Sequence, residues 1–94
     1  MARRFKCKKT EALFQYGEGG DRKWQSFAKI ARRKLVMVDG ATTLSDLKAP
    51  PNNRLEALGK DRQGQHAIRI NDQWRVCFVW TEDGAQEIEI VDYH

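Results

Sequence analysis

Apolar side chains recur at every third or fourth position in the first half of the chain and at every second position in the second half. The first rhythm is helical and the second belongs to strands with one buried face. Trp24, Phe27, Ala28, Ala31, Leu35 and Val38 form one helical stripe, with Lys23, Lys29, Arg32, Arg33 and Lys34 over much of the remaining surface. Gly40 ends that helix, and Asp21, after the Gly19-Gly20 turn, is placed to cap its start. A shorter helix is predicted over Glu11 to Tyr16, capped by Thr10 and ended by Gly17 in the left-handed conformation. Arg3 to Cys7 reads as a short edge strand. Thr42 to Asn53 reads as irregular chain with a brief turn at Leu44 to Lys48, and Pro50-Pro51 opens a loop.

Three strands are predicted over Gln65 to Ile70, Trp74 to Thr81 and Ala85 to Val91. Glu82-Asp83-Gly84 reads as a three-residue hairpin loop with Gly84 left-handed. That register pairs Thr81 with Ala85, Val79 with Glu87, Cys77 with Glu89 and Arg75 with Val91. Taking Asn71-Asp72-Gln73 as the earlier loop sets Arg69 opposite Arg75. Ile68, Ile70, Trp74, Val76, Phe78, Trp80, Ile88 and Ile90 then share one face, which must pack on the helices. The other face carries Arg69, Arg75, Glu87 and Glu89 among smaller residues, both arginines exposed. The expected class is α+β, two N-terminal helices packed on one face of a twisted antiparallel sheet, in a single domain spanning residues 1–94.

Composition narrows the function classes. The chain is 40% hydrophobic and 32% charged, which suits a folded domain rather than a disordered segment. No apolar run approaches the ~20 residues of a membrane span, and no apolar stretch follows the basic start, so a cytoplasmic protein without membrane contact is expected. Cys7 and Cys77 lack any zinc-like spacing and read as two small buried residues. Neither a metal nor a cofactor is expected. The net charge of +4 favours an acidic partner, whether RNA, DNA or protein.

Opposed arginines on a sheet surface repel. A phosphate received between them would offset that repulsion, since guanidinium binds phosphate oxygens bidentately. The competing reading is a surface lattice in which Glu87 and Glu89 neutralise Arg69 and Arg75. Asp92-Tyr93-His94 closes the sequence with three groups suited to proton transfer near neutrality, although a frayed tail has the same composition. Between the proline loop and the first long strand, Lys60, Arg62 and His66 make a phosphate-binding set on a flexible loop, or a solvated turn. His66, at an even position near Phe78, has a further reading as a side chain packed on the core edge. Trp24, Trp74 and Trp80 fall on core positions. The basic helix face suits solubility, RNA or an acidic protein partner equally.

The stretch Gly64-Gln65-His66-Ala67-Ile68-Arg69-Ile70-Asn71-Asp72-Gln73-Trp74-Arg75-Val76-Cys77-Phe78 resembles the signature of HigB-type toxins in the RelE/ParE superfamily, and Asp92-Tyr93-His94 resembles that family's ending. Thr10 to Phe14 and Pro51 to Leu58 extend the likeness over nearly the whole chain. The resemblance implies a microbial RNase fold and a ribosome-dependent endoribonuclease that cuts mRNA without a metal. It implies a HigA-like helix-turn-helix antitoxin as partner, with operator DNA reached only through that antitoxin. Carried over residue by residue, Arg75, Asp92, Tyr93 and His94 take catalytic roles, and Lys60, Arg62, His66 and Arg69 bind RNA. Where some relatives have a catalytic His and Lys before the Gly-led strand, this chain has Glu56, Gly59 and Lys60. Either Lys60 and Arg62 substitute, or catalysis is weaker or differently arranged. Two rivals remain at this level: a non-catalytic toxin of the ParE kind acting on gyrase, and an RNA-binding module acting in ribosome assembly.

Overall fold

Strand pairing dominates the architecture. A computed structural model describes residues 3–59 and 64–92. Its four-stranded antiparallel sheet has the order β1-β2-β3-β4, with β1 at Glu56–Ala57, β2 at Gln65–Arg69, β3 at Trp74–Thr81 and β4 at Gly84–Asp92. Helices α1 (Lys8–Tyr16) and α2 (Ala28–Gly40) pack on one face of this sheet, an α+β arrangement. Three 3₁₀ segments, Arg22–Phe27, Leu44–Lys48 and Pro51–Asn53, make the connections.

The even-numbered face is the core, as the alternation requires. Ile68, Val76, Phe78 and Ile88 are fully buried, with Ile70 and Ile90 nearly so, against Leu13 of α1 and Ala31, Leu35 and Val38 of α2. Burying a side chain the size of Phe78 contributes up to about 3 kcal/mol. Trp24 is buried, while Trp74 and Trp80 are partly buried against the same cluster. Trp74 meets the edge of Trp24 at 6.5 Å between ring centroids and lies 5.7 Å from Phe27.

Several local expectations are corrected. The helical stripe is split: Asp21 does cap, accepting from the Lys23 amide at 2.9 Å, but it caps a 3₁₀ segment, and α2 begins only at Ala28. Helix α1 starts at Lys8, one turn before expected, with Cys7 at its N-cap. Cys7 is accordingly exposed rather than buried, while Cys77 is buried. Thr10 sits inside α1, fully buried, and its hydroxyl accepts from the Ile90 amide at 3.3 Å. The edge strand predicted over Arg3 to Cys7 shrinks to one parallel bridge between Phe5 and Ile88. Gly17 ends α1 at φ +75° as the sequence predicts.

The β3–β4 hairpin has a two-residue turn, not three: Thr81 pairs with Gly84, Trp80 with Ala85 and Val79 with Gln86. Gly84 has φ +94°, which only glycine adopts without strain. The one-residue slip this creates is absorbed by a bulge between Cys77 and Val79, where Glu87 has φ +53°. Beyond the bulge the expected register returns, Cys77 with Glu89 and Arg75 with Val91. The slip turns Ala85, an odd-numbered residue, into the core, where it is fully buried beside Trp80.

Candidate nucleic-acid interface

Asn71 builds the turn that sets the opposed arginines in register. Its side-chain oxygen accepts from the Gln73 and Trp74 amides, each at 2.9 Å, while the Ile70 amide donates to the Trp74 carbonyl at 3.0 Å. These bonds close the loop tightly between β2 and β3. Arg69 then lies directly across from Arg75, and Arg75 across from Val91. The two guanidinium groups are not placed alike. Arg69 pairs with the exposed Asp72, and Arg75 donates to the carbonyls of Asn71 and Trp74. Both arginines are half-buried rather than fully exposed, because each lies against this turn.

The next row across the sheet is Glu56, Ala67, Cys77 and Glu89. Ala67 and Cys77 are fully buried, packed with Leu58 just beyond β1 and against Val91. The face away from the helices therefore has a small dry floor with charged groups around it. Glu56 stands on this face at the outer strand and is exposed. The carboxylates of the expected lattice are engaged from the N-terminal segment: Arg3 reaches Glu87 at 3.3 Å and Lys6 reaches Glu89 at 3.3 Å.

Asp92 pairs with Trp74 and accepts from the Gln73 side-chain amide at 3.0 Å. It follows Val91, so the end of β4 runs past Arg75 at the Asn71 turn. His66 pairs with Phe78 and stacks on its ring, 6.2 Å between centroids and 20° between planes. Its Nδ1 is buried without a hydrogen-bond partner among the described residues. Lys60, Arg62, Tyr93 and His94 lie outside the described residues. The structure thus brings Arg69, Arg75, Glu89 and the end of β4 to one part of the sheet and sets His66 on the core side. Sequence reasoning missed Glu56 as a member of this face, because a two-residue strand carries no periodicity. It also missed the structural part of Asn71, although an Asn two residues before Gln73 is a known turn signal.

Away from this face, Lys34 of α2 is 6% exposed and donates to Oδ1 of the fully buried Asn53. Asn53 in turn donates to the Leu47 carbonyl at 3.2 Å and the Ala49 carbonyl at 3.1 Å. Burial, and then the neighbouring Arg33, push the Lys34 ammonium below the usual lysine range.

Two helices on one face of a four-stranded antiparallel sheet form an α+β arrangement consistent with the RelE-like fold. Comparison with known proteins leads to the same class. A family model described as the RelE-like toxin of the type II toxin-antitoxin system HigB matches residues 3–94. The chain belongs to that family of type II toxins, each of which has an antitoxin as its partner. It is 35% identical over 94 residues to the toxin HigB-1 of Vibrio cholerae, covering 100% of this chain and 98% of the relative. It is 30% identical over 94 residues to the endoribonuclease HigB of Proteus vulgaris, covering 100% of both. An uncharacterized protein of Haemophilus influenzae is 32% identical over 76 residues, which span 81% of this chain and 75% of the relative. Among the described residues no helix is long and apolar enough to cross a membrane.

Proposed function

We propose that this chain is the toxin of a type II toxin–antitoxin pair and a ribosome-dependent endoribonuclease that cuts mRNA and so stops translation. The observation that carries the reading is the pairing of Arg69 with Arg75 on the sheet face away from the helices, beside the end of β4. Like charges held in register repel; Asp72 offsets part of this at Arg69, and a phosphate received between the two guanidinium groups would be bound by both.

In the reaction, a general base takes the proton of a ribose 2′-OH, and the oxygen attacks the adjacent phosphorus. The phosphate passes through a pentacoordinate state, and its bond to the 5′-oxygen breaks as an acid protonates that leaving group. Arg75 stabilises the developing charge, aided by Arg69 and Arg62, with Lys60 contributing to RNA binding, whereas His66, stacked on Phe78 on the core side, packs the strand rather than meeting the RNA. Arg75 is suited to this because its side chain is anchored to two backbone carbonyls of the turn, which fixes a donor before substrate arrives. Asp92, Tyr93 and His94 supply the acid and the base. A domain this small offers little surface to grip RNA, so the ribosome presents the scissile bond. A HigA-like helix-turn-helix antitoxin silences the toxin, and operator DNA is contacted only through it.

Arg75→Ala tests the reading. Loss of one donor at a developing charge costs about 100-fold or more in rate. The variant should lose growth inhibition and cleavage of ribosome-bound mRNA while melting like the wild type, and deletion of His94 should do the same. Wild-type cleavage by the folded Arg75→Ala protein sinks the mechanism. Supercoiling loss without RNA cleavage by the wild type would move the chain to the gyrase-directed reading.

A further inference from the structure

Lys34 is a buried cation without an ionic partner among the described residues. Such a group is expensive to keep charged, and removing it from the core would be the simplest remedy. It lines a pocket of about 250 Å³ between α2, the Pro51–Asn53 segment and the end of β2. Arg33 and Arg69 line the same pocket, so three cations meet there, with Ile30, Met37 and Ile70 as apolar walls. Arg33 is exposed and makes no ion pair with a described residue, while Arg69 is held by Asp72, itself almost fully exposed.

Two further features say what the pocket faces. The β1 strand covers β2 only at His66 and Ala67, so among the described residues no strand covers the outer edge of β2 at Arg69. Arg69 also belongs to the charged row with Arg75. Arg69 thus joins the proposed cleavage site to the pocket around the sheet edge. An extended chain bearing a negative charge on every unit fits that path, whereas a single anion would use only one end of it.

We propose that Arg33, Lys34 and Arg69 form a second phosphate subsite, which takes a backbone phosphate of the RNA strand next to the one held at Arg75. The identity of the strand rests on the proposed reaction. Lys34 is oriented by Asn53, whose own donors are committed to the Leu47 and Ala49 carbonyls, so the ammonium is held ready in the pocket. Arg33 closes over the bound phosphate from the rim, and Arg69 exchanges its Asp72 partner for it.

The test measures binding of a short 2′-O-methyl oligoribonucleotide, which cannot be cleaved, to the isolated toxin over a range of salt. Arg33→Glu and Lys34→Gln should each weaken binding by about tenfold. Each should also lower the salt slope by about 0.7, the loss of one single-strand phosphate contact. The Lys34→Gln change keeps a donor for Asn53, and Arg33 is exposed, so Arg33→Glu decides the matter if Lys34→Gln melts early. Unchanged affinity and slope in Arg33→Glu overturns the subsite, as does loss of antitoxin binding with RNA binding intact. Inorganic phosphate is titrated as competitor: displacement of the RNA by phosphate at concentrations matching the RNA's own affinity overturns the strand in favour of a free ion. Because the probe is uncleavable, failure of the wild type to cut RNA refutes the proposed reaction and leaves the binding result to stand or fall separately.

Discussion

Replacing Thr10 separates a helix cap from a buried pin. A cap position tolerates Asp as well as Thr. Thr10 is instead fully buried, touching Cys7 Sγ at 2.8 Å and accepting from the Ile90 amide at 3.3 Å. The outer edge of β4 explains the contact. Ile88 sends its amide to the Arg4 carbonyl and receives the Lys6 amide, each at 2.9 Å, and Ile90, two residues on, points its amide the same way. Where Ile88 meets backbone, Ile90 meets the Thr10 hydroxyl. Thr10→Val keeps the shape and removes the acceptor. An unsatisfied buried amide costs about 1–3 kcal/mol, and the added methyl returns at most ~0.8. A net loss of about 0.2–2 kcal/mol lowers Tm by roughly 1–16 °C in a domain of this size. Thr10→Asp puts an unpaired carboxylate in the core and costs about 3–5 kcal/mol, a large share of a typical 5–15. Urea unfolding followed by tryptophan fluorescence reads both, and amide exchange reads Ile90 directly. A Thr10→Asp protein as stable as wild type, with Ile90 exchange unchanged in Thr10→Val, refutes the pin and restores the cap.

Two further outcomes follow from local geometry. A Cβ on Gly20 would meet Trp24 Cε3 at 2.8 Å and Cζ3 at 3.1 Å. Since Trp24 is buried, Gly20→Ala should destabilise by about 1–3 kcal/mol with a shifted tryptophan emission, and an unshifted spectrum at equal stability tells against the close approach. Asp46 accepts from the Thr43 amide at 3.1 Å and from the Thr42 amide and hydroxyl at 3.0 Å, bonds that hold its carboxyl below the usual 3.8, the Thr43 amide most of all. A depressed folded value means the stabilisation is present above pH 3.8 and lost as pH falls through the folded value. Urea midpoints of wild type and Asp46→Asn should therefore converge at low pH, and a gap that persists there speaks against the assignment.

Much of the sheet was legible from alternation alone. Ile68, Val76, Phe78 and Ile88 had to share a face, because a strand's side-chain period is two and a slip of one residue would put all of them in water. The Asn71-Asp72-Gln73 turn placed Arg69 against Arg75 for the same reason, since loop length and strand period together define the partner. Gly17 was readable as a helix stop, because a left-handed residue favours glycine. Burial of Thr10 was not readable, since a threonine before an apolar run looks like a cap until β4 arrives beside it. Local pattern was equally silent on the bulge at Glu87, which trades a one-residue slip at a tight turn against the register beyond it, a balance made only when both strands pack on α2. β1 needed β2 as its partner. The convergence of Arg33, Lys34 and Arg69 on one pocket was beyond sequence altogether: the first two lie on α2 and the third on β2, over thirty positions apart, and only packing of helix against sheet edge makes them neighbours.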